Sequence, residues 1–526
     1  MTVYESQLAF LLLEEYFGPI VTRVCEPLKW GPKTLKLLVD PVHSPPSTVK
    51  QALSILINFN FVCYKSPEGN PASCDYSLQT SNILQMFRYS KFMLIARKMY
   101  DKSSKESKEA ELAVRELLYA GRMTLYRLIL KVAICLSQEY GGEQHSLTSI
   151  KNVVCQLADN GFLMPIDRVT NDIVPRRIPL TEIEKVSKID MAKLTNLYRG
   201  TDSEFPRNEL YWTVNYDRFL IEIRNEILLL AVKRRFGDEC ETVMKHLLKL
   251  SFTKSNPWEG LSSPVSLMVL RDSICNDPSS KVPLQNLKLF IEQIEDDSCS
   301  FVQTSFNVAN ALSVCFKDAF QKLALECISG ILNEKFGPKA ARVFNIVRDK
   351  KFIELEQIPR IAMLADKEAK QITYKLLEEN FIQMQELRKP TTGAASGPSK
   401  SFILFYVNIN SVIKMTLNMA FKNSYNLMVR RKEEQLKHSP IFAKKREADN
   451  VAKVLRDQNV TEEQISDTVN DILSPSEMSL LESAQKVLKR LNAAQLQVDE
   501  MIILLQVYVM YHKTGPPVPK STKKKK

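Results

Sequence analysis

Glycine is scarce in this chain, at 15 of 526 residues, and no Gly-rich phosphate loop occurs; "FGPKAARV" holds a single glycine and cannot cradle a phosphate. HExxH and GxSxG are missing too, which removes the zinc-protease and nucleophile-elbow hydrolases. The ten cysteines contain no CxxC pair. The five histidines (His43, His145, His246, His438, His512) are scattered, and none pairs with a cysteine or carboxylate at metal-ligand spacing, so no metal site is expected. Adjacent carboxylates, Glu378–Glu379 and Asp296–Asp297, fall at expected helix ends, where solvated caps account for them. Catalysis needs a positioned nucleophile, base or metal, and none can be named. The chain is therefore expected not to be an enzyme, with no catalytic residue, no cofactor and no small-molecule substrate.

Long apolar runs are also missing. No stretch of 18 apolar residues appears, so no transmembrane helix and no membrane contact are expected. "MTVYESQLAFLLLEEYFG" lacks a basic start and continues as an amphipathic helix, unlike a signal peptide. Cysteines such as Cys155 in "NVVCQLADNGF" and Cys327 in "LALECISGIL" sit on apolar faces, the pattern of reduced, core-filling thiols in an intracellular compartment. The formal charge of +12 shrinks on inspection: five of those charges are Lys520, Lys523, Lys524, Lys525 and Lys526, leaving +7 on the first 519 residues. That excess alone supports nucleic-acid contact only weakly.

What is present is a recurring helix end. Leu56 precedes Phe61 by five residues, Leu157 precedes Phe162, and Leu376 precedes Phe381; Val62, Leu163 and Ile382 follow. The helices start near Ser47, Ser146 or Thr148, and Asp366, all capping residues. They stop near Asn60, Gly161 and Asn380, residues able to take the left-handed turn that closes a helix. A looser fourth copy ends before Phe301, after a longer turn. After the helix come a short strand, a Pro/Gly/Ser loop and a return strand, as in "SPEGNPASC" then "DYSL", or the loop before "SFILFYVNI". Helix, strand, loop, return strand is the second half of a winged helix. The expected class is mainly α with small β-hairpin wings: four tandem winged-helix domains and a C-terminal coiled coil.

The coiled coil is read from residues 481, 484, 488, 491, 495, 498, 502, 505 and 509. Leu481, Ala484, Leu488, Leu491, Gln495, Val498, Ile502, Leu505 and Val509 follow strict three–four spacing with one polar intrusion. This seam is expected to pair with residues 402–436 and to carry partner contacts. The expected boundaries are 1–85, 86–215, 216–330 and 331–408 for the winged helices. A stalk follows at 409–512, and a disordered Lys-rich tail at 513–526.

"NELYWTVNYDRF" (208–219), "KKFIELEQIPRIAMLADKEAKQITYKLLEENF" (350–381), "QVDEMIILLQVY" (497–508) and "AVRELLYAGRMT" (113–124) occur in an order that resembles the C-three subunits of eukaryotic DNA-directed RNA polymerase III. The resemblance covers nearly the whole chain and is weakest at 165–207, 251–282 and the lysine tail. It implies a nuclear, non-catalytic subunit of an initiation heterotrimer with the C-six and C-seven subunits, docked on the polymerase clamp. It further implies recruitment through transcription factor IIIB and help in promoter opening, much as the alpha subunit of factor IIE serves polymerase II. Two other classes remain open from the residues themselves: a winged-helix scaffold for protein docking, and a winged-helix transcription factor.

DNA readers of this fold present basic residues on the third helix and the wing. Here the third helices offer Lys50, Lys151, Lys370 and Lys375, and the wings offer Lys65, Arg388, Lys389 and Lys400. Few Arg or Asn residues stand ready for base edges, so contact with the phosphate backbone is expected rather than sequence readout. Tyr211, Trp212 and Phe219 are expected to brace the junction between the second and third domains.

Overall fold

The computed structural model describes residues 2–42, 45–65, 74–100, 105–139, 146–166, 189–200, 205, 210–252, 258–277, 283–304, 311–388, 401–458, 464, 468 and 472–513. The chain divides into two compact units, Met1–Leu228 and Leu229–Lys526.

One module is built four times: a leading helix, a first helix, a two-residue strand, a second and a third helix, and two wing strands. The first copy is α1 (Val3–Phe17), α2 (Pro19–Cys25), β1 (Lys33–Thr34), α3 (Leu35–Val42), α4 (Pro46–Asn58), β2 (Val62–Lys65) and β3 (Asp75–Leu78). After the short α5 (Thr80–Leu84), the second runs α6 (Tyr89–Lys98), α7 (Lys105–Ala120), β4 (Met123–Thr124), α8 (Leu125–Glu139), α9 (Leu147–Asp159) and β5 (Leu163–Ile166). It closes with α10 (Met191–Arg199) and β6 (Tyr211–Val214). The third holds α11 (Tyr216–Phe236), α12 (Asp238–Phe252), β7 (Val265–Ser266), α13 (Leu267–Cys275), α14 (Leu287–Glu295), β8 (Val302–Thr304) and β9 (Ala311–Val314). The fourth holds α15 (Phe316–Phe336), α16 (Pro338–Lys350), β10 (Ile353–Glu354), α17 (Gln357–Ala362), α18 (Asp366–Glu378), β11 (Gln383–Arg388) and β12 (Ser401–Tyr406). All four sheets are antiparallel with the return strand in the middle: β1-β3-β2, β4-β6-β5, β7-β9-β8 and β10-β12-β11.

The repeated helix end has a single hydrogen-bond geometry. The amides of Phe61, Phe162 and Phe381 donate to the carbonyls of Leu56, Leu157 and Leu376, each at 2.9 Å. The preceding Asn60, Gly161 and Asn380 have φ of 57°, 76° and 61° and donate to Ile57, Ala158 and Leu377. These paired bonds satisfy the orphan carbonyls of the last turn and throw the phenylalanine inward. In the third copy Ser300 takes the left-handed position with φ 50°. Phe61, Phe162, Phe301 and Phe381 are all buried.

A second repeat meets the first. Phe17, Phe236 and Phe336 end the leading helices α1, α11 and α15, and each is followed by a glycine of positive φ: Gly18, Gly237 and Gly337. Their rings lie edge-on to Phe61, Phe301 and Phe381 at centroid distances of 5.9, 6.5 and 5.9 Å. Such pairs contribute roughly 0.5–1.5 kcal/mol beyond area burial. The "Phe-Gly" signal at 17, 236 and 336 was there to be read in the sequence.

The structure corrects three local expectations. Helix α4 starts at Pro46 and α18 at Asp366, without side-chain caps from Ser47 or Asp366; only Ser146 caps, accepting from the Thr148 amide at 3.3 Å. Pro46 at the first helical position presets φ, and Asp366 in the first turn faces the positive end of the helix dipole, so neither helix needs the cap. Second, the three aromatics expected at the junction divide: Phe219, on the leading helix of the third module, packs on Phe92 and Phe162 of the second at 4.9 and 4.8 Å, whereas Trp212 is buried and Tyr211 partly exposed on β6 of the second module itself. Third, of the segment 402–436 expected to pair with the seam, residues 402–406 belong to the return strand, and the pairing helix begins at Ile409.

That helix, α19 (Ile409–Lys437), continues past a break at His438 into α20 (Ser439–Asp457); α21 (Pro475–Lys513) runs back antiparallel. Three polar contacts fix the pairing: Tyr508 Oη donates to Asn410 Oδ1 (2.9 Å), Arg431 Nη1 to Gln495 Oε1 (3.1 Å), and Lys444 Nζ to Glu477 Oε1 (2.5 Å). The hairpin is not a free stalk. Leu505 and Tyr508 share one core with Phe344, Ile353, Phe381 and Phe405 of the fourth module. Tyr511 packs against Trp258, Phe316 and Phe320, each at 6.1 Å. One window of α21, with mean hydropathy 1.2, is long and apolar enough to cross a bilayer, contrary to the sequence expectation. Ile502, Leu505 and Tyr508 spend that apolarity on the protein core.

Candidate nucleic-acid and partner surfaces

The four third helices present different outer faces. On α4, Lys50 is exposed, and Asn58 at its far end donates to the Ala120 carbonyl at 2.7 Å. On α9, Lys151 is half-buried and its ammonium donates to the Ile189 carbonyl at 3.0 Å. On α14, Lys288 stands beside exposed Leu289 and Glu292. Lys65 is exposed at the end of β2. Arg388 ends β11, while Lys389 and Lys400 lie outside the described residues.

Helix α18 differs. Lys367, Lys370, Gln371, Tyr374, Lys375 and Glu378 line one open face. They recur at three- and four-residue spacing, the stripe that a helix turns to one side. Two acids on the flanks are taken up by neighbouring helices: Lys339 Nζ meets Glu368 Oε1 at 2.6 Å, and Lys335 Nζ meets Glu379 Oε2 at 2.8 Å. Lys375 Nζ lies 5.3 Å from the Phe336 ring centroid. Tyr374 is 52% exposed, its ring braced edge-on by buried Phe405. Lys370 and Lys375 were expected on this face; Lys367 and Tyr374 were not, although the same spacing names them. The described wing strands beside α18 expose Met384, Leu387, Phe402 and Ile403.

The coiled-coil seam is turned onto its own chain. Leu481, Ile502 and Leu505 are buried, and Leu488, Leu491, Gln495 and Val498 are half-buried, on the helix that packs against α19. Gln495 accepts from Arg431, which explains how a polar residue holds the middle of this seam. The opposite side of α21 exposes Glu482, Lys486, Lys489 and Arg490.

One grouping escaped sequence reasoning because its members come from two elements. His246 of α12 has Nδ1 2.9 Å from Ser273 Oγ and Nε2 3.4 Å from Asp277 Oδ2. Burial holds its pKa below the usual value; Asp277 opposes this, and Lys249 and Lys245 add to it. The buried ring clamps α12 to the end of α13. No group of three or more His, Cys, Asp or Glu among the described residues is placed to bind a metal.

Four family models match the chain. "RNA polymerase III subunit RPC82 helix-turn-helix domain" matches residues 7–66, and "RNA polymerase III subunit RPC82" matches 152–301. "POLR3C, C-terminal winged-helix domain" matches 328–407, and "DNA-directed RNA polymerase III subunit RPC3, helical hairpin domain" matches 441–504. The proteins named DNA-directed RNA polymerase III subunit RPC3 from Bos taurus and Homo sapiens are each 27% identical over 541 residues, covering 97% of this chain and 99% of the relative. The Dictyostelium discoideum protein of that name is 23% identical over 249 residues, 45% of this chain and 37% of its own.

The chain belongs to the RPC3/RPC82 family. The family's C-terminal winged-helix segment stops at Val407, just before Asn408 caps α19 by accepting from the Ser411 amide at 3.3 Å. Its helical-hairpin segment stops at Leu504, just before Leu505, Tyr508 and Tyr511 enter the core of the second unit. In this RPC3-family chain, the hairpin segment and the anchor residues thus follow one another on a single helix, α21.

Proposed function

We propose that this protein is a non-catalytic subunit of nuclear RNA polymerase III that supports initiation on small-RNA genes. In this role it sits on the polymerase clamp in a heterotrimer with the C-six and C-seven subunits. It helps recruit the enzyme through transcription factor IIIB and assists promoter opening. Its contacts are mainly with protein, together with sequence-independent contacts to the DNA backbone. The observation that carries this reading is the match to subunits named RPC3 over 97% of this chain and 99% of theirs. A mild overall excess of positive charge and the lack of arginine on the four third helices α4, α9, α14 and α18 favour phosphate contact over base readout.

The test is affinity purification of the tagged full-length chain from nuclear extract, with the co-purifying proteins identified by mass. Recovery of the large subunits of RNA polymerase III, together with the C-six and C-seven subunits, is the expected result. Recovery of a different assembly without polymerase would replace this reading with the scaffold one.

A further inference from the structure

We propose that the DNA-binding surface of this protein is the outer face of α18, which holds the phosphate backbone of duplex DNA through Lys367, Lys370 and Lys375, with the Tyr374 phenol between them. This assignment rests on the function proposed above and names one helix out of four.

The choice follows from what each third helix has left to offer. Lys151 on α9 is committed to the Ile189 carbonyl, α14 surrounds Lys288 with Leu289 and Glu292, and α4 has Lys50 alone. On α18 the flanking acids Glu368 and Glu379 are paired from α15 and α16, so they do not neutralise the lysines. Three ammonium groups then face outward against two exposed carboxylates, Asp366 and Glu378. Among the described residues Lys367 and Lys370 make no ion pair. Like charges this close repel one another, and bound phosphates would relieve that repulsion.

Geometry selects the duplex. From Lys367 to Lys375 the helix rises about 12 Å at 1.5 Å per residue, and the major groove of a duplex is wide enough to admit an α-helix flanked by phosphates on both edges. Tyr374 is held upright by Phe405, with its hydroxyl outward as a donor to a phosphate oxygen. Gln371 is the single amide on this face, so preference among sequences stays below roughly a hundredfold.

The experiment uses the full-length chain and a fluorescein-labelled duplex, with its single strand as a second probe, read by anisotropy across a salt series. Lys367→Glu/Lys370→Glu is expected to weaken duplex binding roughly 10-fold or more and to reduce the log–log salt slope by about 1.8, at about 0.9 per phosphate contact. Lys50→Glu and Lys288→Glu, equivalent charge reversals on α4 and α14, should stay within about twofold. The assignment is overturned if those controls weaken binding as much as the α18 variant. It is equally overturned if the α18 variant binds like wild type, or if the single strand binds tighter and Tyr374→Ala alone abolishes that binding. Co-purification of polymerase with the α18 variant is expected to be unchanged and reports separately on the proposed function. A wild-type chain that ignores duplex DNA but still recovers polymerase would remove the DNA contact and leave the subunit reading standing.

Discussion

Gly121 shows how much a single residue decides in the first unit. It follows α7 at φ +75°, and a Cβ there would stand 2.9 Å from the carbonyl oxygen of Asn58. Around it Asn58 donates to Ala120, and Arg122 donates to Asn60, so the end of α4 and the end of α7 are joined at this point. Gly121→Ala adds left-handed backbone strain of about 1–2 kcal/mol and a backbone clash of similar size. The first unit is expected to lose roughly 2–4 kcal/mol, seen as an earlier urea transition by tryptophan fluorescence. A transition at the wild-type position would show that the joint yields without strain. His246 gives the second unit a pH dependence of definite sign. Its folded pKa is held below the ordinary 6.5 by burial, so the unfolded chain takes up the proton first as pH falls. Stability should therefore be flat above about pH 6.5, decline below it, and level off once pH passes the folded pKa. His246→Gln should flatten that decline in thermal melts; an unchanged pH profile would assign the decline to other groups.

At the scale of elements, α21 is two things along one length. Leu491 lies half-buried in the hairpin, whereas Leu505 is fully buried in a core shared with the fourth module. An unpaired aspartate in a core costs several kcal/mol, at the top of the range for single substitutions. Leu505→Asp is therefore expected to unfold the second unit, with residues 2–228 still resisting limited proteolysis. Leu491→Asp should open only the hairpin, exposing sites in 430–500 while β10–β12 stay protected. Equal protease patterns for the two variants would show that the hairpin and the fourth module unfold as one. The helix ends were legible in the sequence because they are local: Leu56, Asn60 and Phe61 lie within six residues, and Asn or Gly takes the left-handed position there in three of the four copies. The anchor of α21 was not legible, because a three–four apolar seam looks the same whether it faces another helix or a domain core. The hydrogen bond of Lys151 was not legible for the same reason, since its partner Ile189 is 38 residues away in sequence. On α18, conversely, Lys370 and Lys375 could be found by spacing, since an exposed helical face needs no long-range partner to define it.

At the scale of the whole molecule the question is where the charge acts. The formal +12 divides into five lysines within residues 520–526, which lie outside the described residues, and +7 over everything before them. Counterion release makes affinity depend on how many phosphates are neutralised, at about 0.9 log units per log unit of salt for each. A folded surface of mild excess, with its lysines partly paired to acids and carbonyls, can neutralise only a few phosphates through one helix face. Five lysines in seven residues can track a backbone without any fold. Removing residues 520–526 should therefore lower the salt slope for duplex DNA by at least about 1 without changing any preference among sequences. Combined with Lys367→Glu/Lys370→Glu, the two reductions should add, because the groups would sit on different phosphates. Recovery of polymerase with the truncated chain should be unaffected, since the buried seam and the Leu505–Tyr511 anchor lie before the deletion. An unchanged slope would make the lysine run a solubilising segment only, and loss of polymerase on truncation would make it an assembly contact.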